Sequence, residues 1–369
     1  MERDIVNVGV VGCGNISGIY FKNLTTVFND IVNVYACADL IKEKEEKALC
    51  EYKIPRAMTF EQMLLCDDIQ LILNITQPFN HYEISKRALL AGKHVYVEKP
   101  LSLNFEQGLE LINIAKANKL LLGGAPDTFM GAGIQTSRKL IDDGYIGDIV
   151  GATAFMMSKG HESWHPDPEF YYKPGGGPMF DMGPYYITAL INLMGGVKSV
   201  AGMNTTAFKE RIITSQPKYM QKIEVETPTH VSAMLQFQSG ATASIITTFD
   251  CKKSDLPLIE IYGTKGSIKV PDPNCFSGPV YLATSDGSGY KEVPLTHIYP
   301  DNSRGLGLAD LAKCLKTGNT PKAGCHQTGH VLEIMCAVFS SFETGRYYKM
   351  KTKYKRTEPM LRDLVKGQV

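Results

Sequence analysis

The sequence predicts a two-domain protein. A doubly wound α/β domain with a parallel sheet is expected over residues 1–125, and an α+β domain with an open, mostly antiparallel sheet and helices on one face over 126–369. Three observations lead there. The chain has 369 residues, about two ordinary domains. Up to residue 125, short apolar runs alternate with glycine or polar turns and helical stretches, as βαβ units do. Beyond Gly123-Gly124-Ala125-Pro126 the pattern shifts to period-two alternation, which suits strands covered on one face.

In the first domain, strands are expected at Ile5 to Val11, Val32 to Ala38, Leu71 to Asn74, His94 to Val97 and Leu120 to Gly123. Each is near-continuously apolar, as a strand buried on both faces must be. Helical spacing marks Tyr82 to Ala91 and Phe105 to Asn118, the latter with Asn104 as N-cap and Gln107 as its N3 partner. The second domain is expected to open with a helix from Gly131 to Asp142. Its alternating strands are Ile149 to Met157, His230 to Phe237, Ala241 to Phe249, Ile259 to Tyr262 and Ser267 to Val270. Gln238-Ser239-Gly240 and Gly263-Thr264-Lys265-Gly266 read as hairpin turns. A late packing helix is expected from Gly329 to Phe342, carrying a structural His330.

Composition narrows the function. Lys plus Arg (39) and Asp plus Glu (38) nearly cancel, so no electrostatic term favours nucleic acid or an anionic membrane. No apolar run approaches the roughly 18 residues of a membrane helix, and the N-terminus shows no secretory pattern. The nine cysteines are scattered with no Cys-x-x-Cys pair, which suits a reducing, cytoplasmic setting and small apolar roles in the core.

After the first strand, Gly12-Cys13-Gly14-Asn15-Ile16-Ser17 fits Gly-x-Gly-x-x-small. The first glycine permits a tight turn, and the second lets a pyrophosphate approach the backbone at the next helix N-terminus. The second strand ends at Asp39, where a carboxylate accepts hydrogen bonds from the ribose hydroxyls and repels a 2′-phosphate. Leu40 supplies no cation. NAD is therefore expected in preference to NADP, held in a Rossmann domain. Ligands of such sheets lie beyond the carboxyl ends of the strands, which adds Thr76, Gln77, Pro78, His81, Glu98 and Lys99 to the cofactor set of Gly12, Gly14, Asn15, Ile16 and Asp39.

The glycine loop, Ala91-Gly92-Lys93-His94-Val95 running into Glu98-Lys99-Pro100, and Gly175-Gly176-Gly177-Pro178 with Asp181-Met182-Gly183 together resemble the glucose-fructose oxidoreductase, inositol dehydrogenase and rhizopine-catabolism family (Gfo/Idh/MocA). The resemblance runs over nearly the whole chain. It implies an NAD(P)-dependent enzyme that oxidises or reduces a secondary alcohol of a sugar or cyclitol. It also implies that Lys99 contacts the nicotinamide ribose and the reacting hydroxyl, where an ammonium stabilises developing negative charge.

The resemblance further implies an Asp and, four residues on, a His as acid/base. This chain has Asp181 and then Tyr185, two residues expected to share one face of one helix, with Asp181 as its N-cap. A tyrosine, with an ordinary pKa of about 10, needs a neighbouring cation to work near neutral pH, and Lys99 is available. The irregular stretch Gly160-His161-Glu162-Ser163-Trp164-His165-Pro166 offers two imidazoles and the only tryptophan, a stacking face for a sugar ring. The expected catalytic set is Lys99, Asp181, Tyr185 and His165, and the expected substrate set adds His161 and Trp164. No metal is expected, since His161 and His165 lack a helix beneath them and a third ligand. The same fold acting on a dihydrodiol or imine, or an inactive NAD-binding protein, are the rival readings. Alternating apolar residues on the open sheet predict a homo-oligomer, a dimer or tetramer.

Overall fold

A computed structural model describes residues 5–369. Five parallel strands form the first sheet: β1 (Val6–Val11), β2 (Val32–Ala38), β3 (Leu71–Asn74), β4 (His94–Val97) and β5 (Leu122–Gly124), in the order β2-β1-β3-β4-β5. The bounds of β2, β3 and β4 are those the apolar runs predict. β5 starts two residues later than expected, because Lys119 takes a left-handed conformation (φ 56°) at the preceding turn. The connecting helices are α1 (Ser17–Thr26), α2 (Lys42–Tyr52), α3 (Phe60–Leu65), α4 (His81–Leu90) and α5 (Phe105–Ala117). The Asn104 side chain accepts from the Gln107 N–H, as expected of the N-cap. The strand order reverses between β1 and β3, where ligands of such sheets bind.

The second body begins within α6 (Ala132–Asp142) and holds α7 (Gly177–Asp181), α8 (Gly183–Met194) and a nine-stranded mixed sheet. Its strands are β6 (Ile149–Met157), β7 (Val197–Thr205), β10 (His230–Phe237), β11 (Thr242–Thr248), β12 (Ile259–Gly263), β13 (Gly266–Val270), β14 (Val280–Thr284), β15 (Lys291–Val293) and β16 (Tyr348–Lys349); β8 (Glu210–Ile212) and β9 (Lys222–Glu224) pair separately as a small hairpin. β6 and β11 run parallel and every other pair is antiparallel. All twelve residues of α8 are buried, which an all-round apolar helix requires.

The chain separates into two compact units that are not cut once near residue 125. The first comprises residues 1–135, 296–332 and 357–369, the second 136–295 and 333–356. The late helices α9 (Leu306–Thr317) and α10 (Cys325–Thr344) lie on these returning segments.

Within the first unit, the buried Asp127 carboxylate accepts the N–H groups of Gly305 (2.9 Å) and Gly307 (3.0 Å) at the start of α9. Burial pushes its carboxyl from 3.8 up to about 6, against the pull of those donors and of Arg304. Between these values the folded chain binds more protons than the unfolded one, so stability falls as pH rises through the window, by about 3 kcal/mol in all. Asp127→Asn is expected to flatten that slope. Urea unfolding at pH 4 and pH 7 measures it, and parallel pH dependences in the two proteins would contradict the assignment.

Candidate active site

At the carboxyl edge of the first sheet, Gly12 has φ +107°, and a Cβ there would meet the Ile75 carbonyl oxygen at 2.7 Å. The loops after β1 and β3 therefore touch, and only glycine fits between them. A Cβ on Gly14 would meet nothing within 4 Å, so the backbone is open on the side where a pyrophosphate approaches. Asn15 is exposed, and Ile16, the N-cap of α1, gives the helix no side-chain cap. The Ser17 N–H closes the turn onto the Gly14 carbonyl oxygen (3.0 Å), and with no side chain capping it the positive end of the helix faces an incoming anionic ligand. These features fit a dinucleotide.

Asp39 is tied into the backbone on both oxygens. Its Oδ2 accepts the Cys13 N–H (2.7 Å) and its Oδ1 the Ile41 N–H (2.8 Å), which ties the glycine loop to the end of β2. A carboxylate offers about four lone-pair sites, so it can still receive ribose hydroxyls. Leu40 beside it is 99% exposed. Asp39→Ala is expected to raise the NAD Kd about tenfold or more and to narrow the preference for NAD over NADP. Titration with both cofactors measures this, and an unchanged ratio would count against the role.

The other strand-end residues divide. Gln77 is exposed and Thr76 and Pro78 half-buried; the Thr76 hydroxyl donates to Asn74 Oδ1 (2.7 Å). His81 is fully buried, with Nδ1 2.7 Å from the Pro100 carbonyl oxygen and Nε2 3.1 Å from that of Thr76. It pins the loops after β3 and β4, and burial lowers its pKa despite those carbonyls. Glu98 is buried too, accepting the Tyr20 hydroxyl (2.7 Å) and the Lys99 N–H (2.9 Å). Both side chains are engaged with protein groups. Lys99 follows them, half-buried, before the cis peptide to Pro100.

In the second unit, Asp181 and Tyr185 do not share a helix. Asp181 ends α7 and Tyr185 lies in α8, whose N-cap is Met182. Pro184 lacks an N–H and sits in the first turn of α8, where a new helix starts and the old one cannot continue. The expected capping by Asp181 and the i, i+4 face are therefore both corrected. Tyr185 is buried.

The partner that Asp181 finds is His161. Its Nε2 lies 3.3 Å from Asp181 Oδ2, and both side chains are nearly buried. The His161 ring stacks on Tyr171 (centroids 3.7 Å, 9°) and meets Phe249 edge-on at 4.7 Å. Its Nδ1 is buried without a hydrogen-bond partner among the described residues. Trp164 lies tilted against His161 at 5.4 Å and remains 61% exposed. His165 packs edge-on to Trp164, and its Nδ1 accepts the Asp167 N–H (3.0 Å). Burial lowers the His165 pKa, so near pH 7 it is neutral and presents an Nε2–H, a donor and not a base.

The loop from 160 to 172 is held by residues that no local pattern marked. Arg211 of β8 donates from Nη1 to Glu162 (2.9 Å) and from Nη2 to Asp250, and the Thr214 and Ser215 N–H groups donate to the Glu162 carbonyl. Among the described residues no cluster of three or more His, Cys, Asp or Glu could hold a metal ion. No helix among them is long and apolar enough to cross a membrane.

Fold and glycine loop together define an NAD-binding Rossmann protein with a second α+β domain. Residues 6–124 match the model of an oxidoreductase family with an NAD-binding Rossmann fold, and residues 134–269 match the GFO/IDH/MocA C-terminal domain. The chain belongs to the GFO/IDH/MocA oxidoreductase family. It is 28% identical to a D-xylose dehydrogenase of Paenarthrobacter nicotinovorans, over 49% of this chain and 49% of that one. An inositol 2-dehydrogenase/D-chiro-inositol 3-dehydrogenase of Lactiplantibacillus plantarum is 33% identical over 46% of this chain and 47% of its own. The chain thus spans about half the length of these curated relatives. A solved levoglucosan dehydrogenase in complex with NADH has a TM-score of 0.79 at 21% identity, covering 94% of this chain and 100% of that one, a likeness of fold.

Proposed function

We propose that the protein is an NAD-dependent dehydrogenase that moves hydride between nicotinamide and a secondary hydroxyl of a sugar, glycoside or cyclitol. The observation that carries this reading is the Asp181–His161 pair with the exposed Trp164 tilted against His161, a carboxylate–imidazole pair whose imidazole borders a flat aromatic face of the kind sugar rings stack on. The sugar and inositol dehydrogenases among its relatives support the substrate class.

Bound NAD supplies the hydride acceptor. Oxidising the alcohol also releases the hydroxyl proton, and the roles of this chain's residues follow from that. Lys99 holds the hydroxyl oxygen and offsets its growing negative charge, as the family resemblance implies. Asp181 takes the hydroxyl proton on its carboxylate, and the Tyr185 phenol is the alternative proton-transfer group. His161 holds Asp181, His165 donates from Nε2–H to a substrate oxygen, and Trp164 stacks on the ring.

A panel of pentoses, hexoses, glycosides and cyclitols, assayed for NADH formation and for cofactor retained on the denatured protein, tests the reading. Turnover of at least one polyol is expected. Turnover of a trans-dihydrodiol alone would give the protein a different substrate, and NAD binding with no turnover would make it a binding protein. The open face of the sheet carries exposed Met203 on β7 and Met234 on β10, on the same side by register. We assign that face to a second copy of the chain, in a dimer or tetramer, and a monomer by light scattering would exclude it.

A further inference from the structure

We infer that Arg211 is a positioning residue, one that holds the His161–Trp164 loop in register with the end of β11 and thereby keeps His161 on Asp181. This deepens the proposed function and rests on it for the catalytic consequence, while the placement itself stands on geometry alone.

The guanidinium joins two elements at the point where they press on one imidazole. Through Nη1 it holds Glu162, the residue next to His161, and through Nη2 it holds Asp250 and the Phe249 carbonyl (3.2 Å). Phe249 is the ring that meets His161 edge-on. Arg211, Glu162 and Asp250 each have side chains only 11% exposed. The planar group also lies over the rings of Tyr172 (5.3 Å) and Phe208 (5.1 Å). Asp250 is braced independently by the Thr229 hydroxyl (2.7 Å). Serving two carboxylates and a carbonyl at once requires a fork of donors in fixed geometry, which arginine has and lysine lacks. Without it two nearly buried carboxylates would repel each other across the seam that locates His161. Arg211 comes from the hairpin β8–β9, part of the 206–229 excursion, which also holds the loop through Thr214, Ser215 and Lys218, the last on Asp167 (2.7 Å). That excursion is thus the clamp on the substrate loop.

Trp164 is the only tryptophan of the chain and sits in this loop, so its fluorescence anisotropy reports loop order without any substrate. Arg211→Met is expected to lower the anisotropy and to lower kcat about 100-fold, the scale of a displacement near 1 Å, while NAD affinity is unchanged. Arg211→Lys, which keeps the charge, is expected to restore Tm but not the anisotropy. The neutral triple variant Arg211→Met/Glu162→Gln/Asp250→Asn is expected to do the same. Recovery of kcat and anisotropy together with Tm in the triple variant would reduce Arg211 to a counter-charge and overturn the inference, as would unchanged anisotropy in Arg211→Lys. If no substrate is turned over by the wild type, the proposed function fails in the panel assay, and anisotropy with Tm still decides the placement of Arg211.

Discussion

Replacing Lys99 with methionine is expected to lower kcat about a thousandfold while leaving the NAD Kd within a few-fold of the wild type. Methionine keeps the length and apolar stem of the side chain and removes the ammonium, which matters most when charge builds on the reacting oxygen. The backbone beneath is held independently of that ammonium, since the Lys99 N–H is bound by Glu98, and Glu98 in turn by Tyr20. The loss should therefore fall on the chemical step and not on the fold. Steady-state kinetics on the best substrate of the panel, with calorimetric titration of NAD, separates the two. Full turnover in Lys99→Met would reject the mechanism.

The second large effect is expected at Asp181. Asp181→Asn preserves shape and removes both the negative charge facing His161 and the ability to take a proton, so kcat should fall about 100- to 1000-fold. His161→Asn should follow it with a smaller loss, because in the proposed mechanism His161 acts through Asp181. The two changes are in contact and should be non-additive, the double variant being scarcely worse than Asp181→Asn alone. Simple addition of the two losses in free energy would show that the residues act separately and that the pair at 3.3 Å has no catalytic meaning.

The difference between Tyr185 and His161 shows where sequence reasoning stops. Spacing from Asp181 pointed to Tyr185 on a shared helix face, and Gly183-Pro184 between them was the available sign that the helix breaks. His161 was legible as an imidazole in a loop, but twenty residues separate it from Asp181, and nothing local announces their approach. Arg211 was less visible still. It looks like a solvated charge in a polar stretch, and its partners Glu162 and Asp250 are 49 and 39 residues away. His81 and Glu98 were read as cofactor residues at the carboxyl edge of the sheet; Glu98 directly follows β4 whereas His81 opens α4, and their side chains turn to Thr76, Pro100 and Tyr20.

What the sequence by itself determined is what depends on neighbours along the chain. Apolar runs of buried parallel strands marked β2, β3 and β4 to the residue, alternation marked β6 and β10, and the glycine loop followed by an acid at the end of the next strand marked an NAD-binding domain, because strand, turn, helix and next strand follow one another within a single βαβ unit. Only the tertiary structure decided which imidazole meets Asp181, which nitrogen of His165 is available, and what clamps the loop that carries them. Those choices are made by burial and by charge pairing between segments far apart in sequence, where a contact is worth most once water is excluded and leaves no periodic trace in either partner.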